Sequence, residues 1–151
     1  PYLSRGLGDV YKRQLQNMGT PDYLISAACS LVLAQRLARK TCKDCRVPDE
    51  DVTPKVLTDL GFSPEQASRV KATKGKGCSK CKDSGYKGRM GIYEVMKVTK
   101  PIKEAILKQA TTPELKAIAI KEGFQTMQDM GRKMIAAGDL NFREYERVLS
   151  G

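Results

Sequence analysis

Cys42-Lys43-Asp44-Cys45 and Cys78-Ser79-Lys80-Cys81 are the stretches around which this chain is organised. A Cys-x-x-Cys pair lets two thiolates converge on one ion from a single turn, and two such pairs complete the tetrahedral shell that Zn²⁺ prefers. The sequence contains no histidine, which excludes a mixed cysteine–histidine site. We therefore predict a structural Zn²⁺ in a closed cage of thiolates, with no open position for a substrate. The predicted ligands are Cys42, Cys45, Cys78 and Cys81.

The cysteine pattern leaves alternatives open. The 32 residues between the pairs exceed the roughly 15–20 of the commonest zinc pattern, and each pair alone also suits a redox dithiol or unligated surface thiols. Iron also accepts four thiolates, as in rubredoxin-like sites. Cys29 lies in an apolar stretch, which favours a small buried hydrophobe over a fifth ligand.

The charge balance favours an acidic partner. The formal net charge is +10, which suits nucleic acid, anionic lipid or an acidic protein surface. Residues 71–89 concentrate seven basic residues against one acid, Asp83. This stretch is either a solvated, glycine-rich loop or a contact for phosphate and anionic lipid headgroups. No apolar run approaches the roughly 18 residues that a membrane-spanning helix needs, and metal-binding free thiols fit a reducing cytosol.

Two segments predict strands. Residues 31–39 begin as an apolar run and end in alternation, which indicates a strand that leads directly into Cys42. A helix is the competing interpretation, because Leu, Ala, Gln and Arg are good helix formers. Residues 90–96 alternate and predict the second strand, and the glycines before it permit a tight turn. Residues 1–14 have no clear periodicity, and residues 8–14 resemble a translated sequencing adapter, so we interpret 1–14 as a non-native leader. An ordinary basic, flexible terminus is the alternative.

The remaining segments predict helices, most of which begin at a capping residue or a proline. Thr20 before Pro21 predicts an N-cap for a helix to residue 28, and Thr53-Pro54 and Ser63-Pro64 open two short helices. Further helices begin at Thr99, at the capping box Thr111-Thr112-Pro113-Glu114, at Thr126 and at Asn141. The methionines at 127, 130 and 134 are interpreted as core residues. The helical half offers no nucleophile, acid–base pair or phosphate loop.

Two stretches resemble one protein family. Residues 34–45 read AQRLARKTCKDC and are similar to the AQRL-R--C--C segment of the type IV pilus assembly and type II secretion ATPases. Residues 77–94 contain GCSKC and GYKGRMGIYE, and they are similar to the GC--C---GY-GR-GIYE segment of that family. The likeness extends from Leu15 to the end of the chain.

This resemblance implies an α/β fold, which reads as α+β in a fragment: the C-terminal end of a RecA-like P-loop ATPase domain, with a tetracysteine zinc lobe and a helical tail. The implied segments are an end of the ATPase core at 15–41, the metal lobe at 42–81, a returning strand at 82–98 and a helical subdomain at 99–151. The family implies cytoplasmic homohexamers at the bacterial inner membrane. These bind ATP and Mg²⁺ and drive pilin or pseudopilin assembly through an inner-membrane platform protein.

The sequence departs from the family's catalytic pattern. A phosphate loop needs Gly-x-x-x-x-Gly-Lys-Ser/Thr so that backbone N–H groups surround the phosphates, and no such run occurs. The acidic, glutamate and histidine motifs of the family also have no counterpart. We therefore expect no ATP hydrolysis by this chain alone. The resemblance places Arg89 near the adenine edge of a nucleotide; an ordinary arginine at a strand end is the alternative.

A free-standing zinc-ribbon module that binds nucleic acid is the rival hypothesis. Its lysines would contact phosphates, but the basic stretch contains only Tyr86 for base stacking. We therefore expect no specific nucleic-acid partner.

Overall fold

The computed structural model describes residues 14–149, which contain both helices and strands. The leader predicted for residues 1–14 lies, except for its last residue, outside the described residues. The strands are β1 (Leu31–Thr41), β2 (Arg46–Pro48), β3 (Thr73–Gly75) and β4 (Tyr86–Lys97). The helices are α1 (Asp22–Ala28), α2 (Pro54–Asp59), α3 (Pro64–Arg69), a 3₁₀ turn (Ser79–Cys81), α4 (Lys100–Leu107), α5 (Thr112–Lys121), α6 (Met127–Ala137) and α7 (Phe142–Leu149).

The strands pair two by two. β1 pairs with β4, and β2 pairs with β3. The N–H of Val98, after β4, donates to the carbonyl of Ser30, before β1, at 3.0 Å. The N–H of Cys42, after β1, donates to the carbonyl of Gly85, before β4, at 2.9 Å. The start of β1 therefore lies beside the end of β4, and the two strands are antiparallel.

The chain divides into two compact units. Of the described residues, the first unit comprises 14–35 together with Tyr93–Thr126, and the second comprises Arg36–Ile92 together with 127–149. The first unit contains the helices α1, α4 and α5, and the second contains the two cysteine pairs. Within residues 14–149, no helix combines the length and apolarity needed to cross a bilayer.

The core of the first unit forms where α4 packs against α1 and α5. Ile102 and Ile106 lie one helical turn apart on α4 and are fully buried, and each contributes about 1.5–3 kcal/mol by leaving water. Cys29 packs at the edge of this core, which agrees with its predicted role as a small hydrophobe. The other buried core residues are Ile25, Met96, Val98, Ala105, Leu115 and Ala119.

Local capping explains the short helices of the second unit. The Thr53 side chain accepts the N–H of Val56, and the Ser63 side chain accepts that of Gln66, so both predicted N-caps are confirmed. The helices α6 and α7 pack together, and Gly131 is the point of closest approach. A Cβ at this position would lie 2.7 Å from a ring atom of Tyr145 and 2.5 Å from a methyl of Leu149.

The structure confirms some local predictions and corrects others. The segment from residue 31 is a strand, as predicted, and the competing helix is wrong because the segment pairs with β4. The Thr20 cap was wrong by one position, since Pro21 is the N-cap of α1. The stretch 71–89 is not one continuous loop, because it contains β3, the 3₁₀ turn and the start of β4. β4 therefore begins at Tyr86, before the predicted residue 90.

Candidate metal centre

The four predicted ligand cysteines converge in the second unit. Their sulfur atoms all lie within 4.8 Å of one another, an arrangement that can hold a metal ion. The Sγ–Sγ distance is 3.8 Å between Cys42 and Cys78, and also 3.8 Å between Cys45 and Cys81. Four thiolates at about 2.3 Å from a tetrahedral Zn²⁺ are about 3.8 Å apart, whereas a disulfide requires about 2.0 Å. The geometry therefore fits a shared ion and not a pair of disulfides, and all four cysteines are free.

Two arms of the chain bring the cysteines together: the first contains Cys42 and Cys45, and the second contains Cys78 and Cys81. Cys42 follows β1 directly. Cys78 precedes the 3₁₀ turn, and Cys81 is its last residue. The antiparallel pairing of β2 with β3, in which Arg46 faces Gly75, fixes the distance between the arms. This pairing begins one residue after Cys45. The carbonyl of Cys45 also accepts the N–H of Lys76 at 3.1 Å, which continues the ladder towards the second cysteine pair.

Backbone N–H groups point at the sulfur atoms. Gly77 donates to Cys45 Sγ at 3.3 Å, and Cys78 and Gly85 donate to Cys81 Sγ at 3.2 and 3.3 Å. Hydrogen bonds of this kind favour the thiolate, which is the form that binds a metal. The peptide backbone of both arms is therefore arranged to stabilise negative sulfur.

Two of the thiols differ in acidity. Burial raises the pKa of the Cys45 thiol to about 12. Burial also opposes ionisation of Cys81, but the N–H groups of Gly85 and Cys78 prevail and lower its pKa to about 6. A bound divalent cation favours the thiolate at every ligand, because a coordinated thiol is deprotonated.

Two glycines permit the close backbone approach beside the sulfurs. A Cβ on Gly75 would lie 2.2 Å from the carbonyl oxygen of Gly85, and a Cβ on Gly85 would lie 2.5 Å from that of Gly75. Gly85 also has φ +79°, which side-chain-bearing residues rarely adopt. It donates to Cys81 and accepts from Cys42, so one residue contacts both arms.

The centre is closed. Cys42, Cys45 and Cys81 are buried, and Cys78 is partly exposed. An ion bound by four thiolates at this position has no free coordination site for water or substrate, so the arrangement suits a structural crosslink. At the exposed rim, Lys80 forms an ion pair with Asp44 at 3.2 Å, which links one side chain from each Cys-x-x-Cys segment.

Arg89 lies away from the sulfurs, on β4. It is exposed and lines a cavity of about 490 Å³ in the second unit. The other lining residues are Leu37, Ala38, Arg39 and Arg147. Its predicted proximity to an adenine edge stays a prediction; the structure places it beside two arginines.

A buried ionic cluster beside this cavity was missed by the sequence interpretation. The carboxylate of Glu144 has no exposed side-chain area and accepts bonds from the Nε of Arg39, at 2.8 Å, and from the Nε of Arg147. Burial raises its pKa, but the hydrogen bonds from Arg147 and Arg39 lower it to about 2. The sequence predicted only a capping role. Asn141 does cap α7 by accepting the Glu144 N–H at 2.8 Å, whereas the Glu144 side chain binds the arginines.

A signal for this cluster was present in the sequence. Glu144, Tyr145, Val148 and Leu149 have the spacing of one helix face, and all four are buried. An acid on an otherwise apolar face requires a cationic partner. In the structure the partners are Arg39, from the AQRLAR segment, and Arg147, on α7 itself.

Comparison with known proteins places the chain in a family. The sequence model of the type II/IV secretion system protein family matches residues 9–147. The chain therefore belongs to the type II/IV secretion system protein family.

Individual relatives agree with this assignment. The chain is 37% identical over 131 residues to the type IV pilus assembly ATPase PilB of Myxococcus xanthus, covering 87% of this chain and 23% of the relative. It is 37% identical over 139 residues to PilB of Acinetobacter baylyi, covering 91% and 24%. It is 32% identical over 145 residues to the putative type II secretion system protein E of Escherichia coli, covering 91% and 27%. The chain thus spans about a quarter of the length of these relatives.

Proposed function

We propose that this chain is the C-terminal part of a RecA-like motor ATPase subunit for type IV pilus assembly or type II secretion. The family match across residues 9–147 is the observation that carries this proposal. The relatives named above include pilus assembly ATPases and a secretion protein E, so both systems stay candidates. The segments 15–41, 42–81, 82–98 and 99–151 keep the roles predicted from the resemblance.

An apolar surface on the first unit supports a place within a larger domain. Leu31 and Leu33 on β1 and Tyr93 and Val95 on β4 are all exposed. Strands of a RecA-like core are covered on both faces, which explains apolar residues at these positions. We propose that another part of the longer motor subunit packs over these exposed apolar residues.

Zn²⁺ is the proposed resident metal. Cys42, Cys45, Cys78 and Cys81 would hold it, because their spacing fits a tetrahedral thiolate shell. The ion supplies a crosslink between the two arms of the lobe. The chain's own N–H donors and its glycine pair hold the sulfurs in place.

ATP and Mg²⁺ belong to the complete motor. The sequence contains no Gly-x-x-x-x-Gly-Lys-Ser/Thr run, so other parts of the subunit would bind the phosphates and the magnesium. Arg89 is the proposed nucleotide contact of this chain, near the adenine edge. We expect no ATP hydrolysis by this chain alone.

The proposed assembly is a cytoplasmic homohexamer that works with a platform protein at the bacterial inner membrane. The basic stretch 71–89 supports a peripheral contact with anionic lipid. Lys74 forms an ion pair with Asp49, and Lys80 forms one with Asp44. The other lysines of the stretch are exposed: Lys71, Lys76, Lys82 and Lys87. Exposed lysines near an anionic membrane surface contribute about 1 kcal/mol each.

A chimera tests the proposal. This chain would replace the corresponding quarter of PilB in a Myxococcus xanthus strain that lacks its own copy, and of secretion protein E in a matched secretion strain. We expect the chimera to form hexamers, to hydrolyse ATP and to restore surface pili or secretion. A folded, metal-loaded chimera with neither ATPase activity nor restored pili or secretion would contradict the proposal. Two cysteine variants of the chimera form a matched pair. Cys45→Ser removes a proposed zinc ligand, and Cys29→Ser, which removes none, is its control.

A binding assay tests the rival nucleic-acid module. The purified chain would be titrated with duplex and single-stranded DNA at increasing salt. We expect weak binding that disappears at physiological salt and lacks sequence preference. Tight binding with a strong preference for one sequence would support the rival instead.

A further inference from the structure

The arginine cavity has a composition that suits a negative ligand. Three of its five lining residues, Arg39, Arg89 and Arg147, carry guanidinium groups, which stay protonated in proteins. No acidic side chain is among the lining residues. The Arg89 side chain forms no hydrogen bond or ion pair with any other residue of the described range 14–149. A free guanidinium therefore lies beside two others that are already fixed.

The buried Glu144 fixes those two arginines. One of its oxygens accepts both the backbone N–H and the Nε of Arg39, each at 2.8 Å, and the other accepts Nη2 of Arg39 at 3.4 Å and Nε of Arg147. The guanidinium of Arg39 also stacks on Tyr86 at 4.0 Å, and the Tyr86 hydroxyl accepts a bond from Asn141 at 2.8 Å. The cluster thereby restrains Arg39 on one side by a carboxylate and on the other by a ring.

Glu144 neutralises only part of the charge. Three guanidinium groups against one carboxylate leave two positive charges in excess. Arg39 and Arg147 are 47% and 55% exposed, so donors remain accessible from the cavity side. Guanidinium groups bind phosphate through paired N–H donors, and restraining them beforehand reduces the entropy lost on binding.

We propose that this cavity binds a phosphate group, with Arg39, Arg89 and Arg147 as contacts and Glu144 as the residue that positions Arg39 and Arg147. This inference does not depend on the adenine contact proposed for Arg89. The phosphate group belongs either to a free phosphate chain, such as that of a nucleotide, or to a lipid headgroup.

Calorimetric titration of the zinc-loaded chain tests the ligand. Tripolyphosphate, ATP and adenosine are the probes. We expect tripolyphosphate and ATP to bind at a single site and adenosine to give no heat. Arg89→Gln should weaken tripolyphosphate binding about tenfold, as the loss of a charged hydrogen-bonding contact predicts. Absence of tripolyphosphate binding, or equal binding by Arg89→Gln, would overturn the proposal.

Two matched variants test positioning against simple charge. Glu144→Gln and Glu146→Gln each remove one negative charge from α7, but Glu146 is exposed and contacts neither arginine. Electrostatic attraction alone predicts tighter binding of tripolyphosphate to both variants. Positioning predicts that Glu144→Gln weakens binding about fivefold while Glu146→Gln does not. Tighter binding by Glu144→Gln would remove the positioning role.

A further variant covers the case in which Glu144→Gln fails to fold. Arg39→Lys keeps the charge but loses the planar fork that Glu144 orients, so it should also weaken tripolyphosphate binding. An unchanged affinity for Arg39→Lys would contradict the proposal. Vesicles of phosphatidylglycerol distinguish the source of the phosphate. If the phosphate belongs to a headgroup, Arg89→Gln should release the chain from the vesicles. If it belongs to a free phosphate chain, Arg89→Gln should stay bound to the vesicles, and only the double variant Lys82→Gln, Lys87→Gln should be released.

Discussion

At the scale of single residues, Glu144 shows how a charge is stabilised inside this protein. Its carboxylate is removed from water, which is unfavourable, but it receives four hydrogen bonds from two arginines. The partner Arg39 is 105 residues away in sequence. The helix-face spacing indicates that Glu144 needs a cationic partner, but no local pattern identifies one so far away, whereas each cysteine pair is recognisable within four residues.

The lowered pKa of Glu144 predicts a loss of stability in acid. Its pKa of about 2 in the folded chain is below the ordinary value of 4.5, so its contribution is complete above about pH 4.5. That contribution disappears as the pH falls towards 2. Arg39 and Arg147 are the charged groups that bond to the carboxylate. We expect Glu144→Gln to lower the free energy of unfolding at pH 7 by about 1.5–3 kcal/mol, as for lost hydrogen bonds to a charge.

Urea unfolding at a series of pH values checks this prediction. The difference between the unmodified chain and Glu144→Gln should narrow below about pH 4.5, whereas protonation of the thiolates affects both proteins equally. A difference that stays constant down to pH 3 would show that the arginines do not stabilise the charge.

Gly85 is the residue at which the metal lobe tolerates no side chain. In Gly85→Ala, the alanine would have to adopt the φ of +79° that glycine has here. Its methyl group would lie 2.5 Å from the carbonyl oxygen of Gly75. Gly88→Ala is the matched control, since its φ is +83° but nothing lies within 4 Å. A positive φ alone costs a residue with a side chain about 1–2 kcal/mol. We expect Gly88→Ala to show only this cost in thermal melts, and Gly85→Ala to melt lower still and to lose metal. Equal melting temperatures would refute the backbone contact.

At the scale of elements, local signals predicted the helices and failed for the smallest strands. The side chains of Thr53, Ser63 and Asn141 each accept the N–H three residues ahead, so the local sequence contains both partners. β2 and β3 are three residues long and pair across the whole metal lobe. Nothing in either stretch alone has strand periodicity. Their pairing depends on the two arms being brought together at the cysteines.

The contact between α6 and α7 predicts an unusual effect of a helix-favouring change. Gly131→Ala should stabilise α6 by about 1 kcal/mol from helix propensity alone. The added methyl would lie 2.5–2.9 Å from Leu149 and Tyr145, however, and overpacking of this kind costs about 1–3 kcal/mol. We expect a net loss of stability in denaturant unfolding. Lys133→Ala serves as an exposed control on the same helix, and a net gain for Gly131→Ala would show that the helices separate easily.

At the scale of the whole molecule, both units bury apolar side chains, and the second also contains the cysteine cluster. The first has a contiguous apolar core around α4, whereas the cysteines form a cluster of their own in the second. Small units rarely obtain enough stability from burial alone, and a structural metal compensates for this. The sequence predicted the metal lobe, because ligand spacing is local within each pair. It did not predict the division into two units, which depends on packing between distant segments.

Removal of the metal should therefore act unevenly. After chelation, we expect the amides of β2 and β3 to lose protection from hydrogen exchange, while those of α4 keep it. The reason is that the first unit contains none of the four clustered cysteines. Hydrogen exchange followed by mass spectrometry gives this comparison directly. Uniform loss of protection in both units would mean that the metal stabilises the entire chain.

Metal content per chain tests the central claim most directly. Native mass spectrometry of the purified protein, supplied with Zn²⁺ and then desalted, would count the retained ions. We predict a single zinc ion on the unmodified chain and on Cys29→Ser, and none on Cys45→Ser or Cys81→Ser. A folded chain that retains no metal, or a Cys45→Ser chain that retains as much as the unmodified one, would contradict the shared thiolate site.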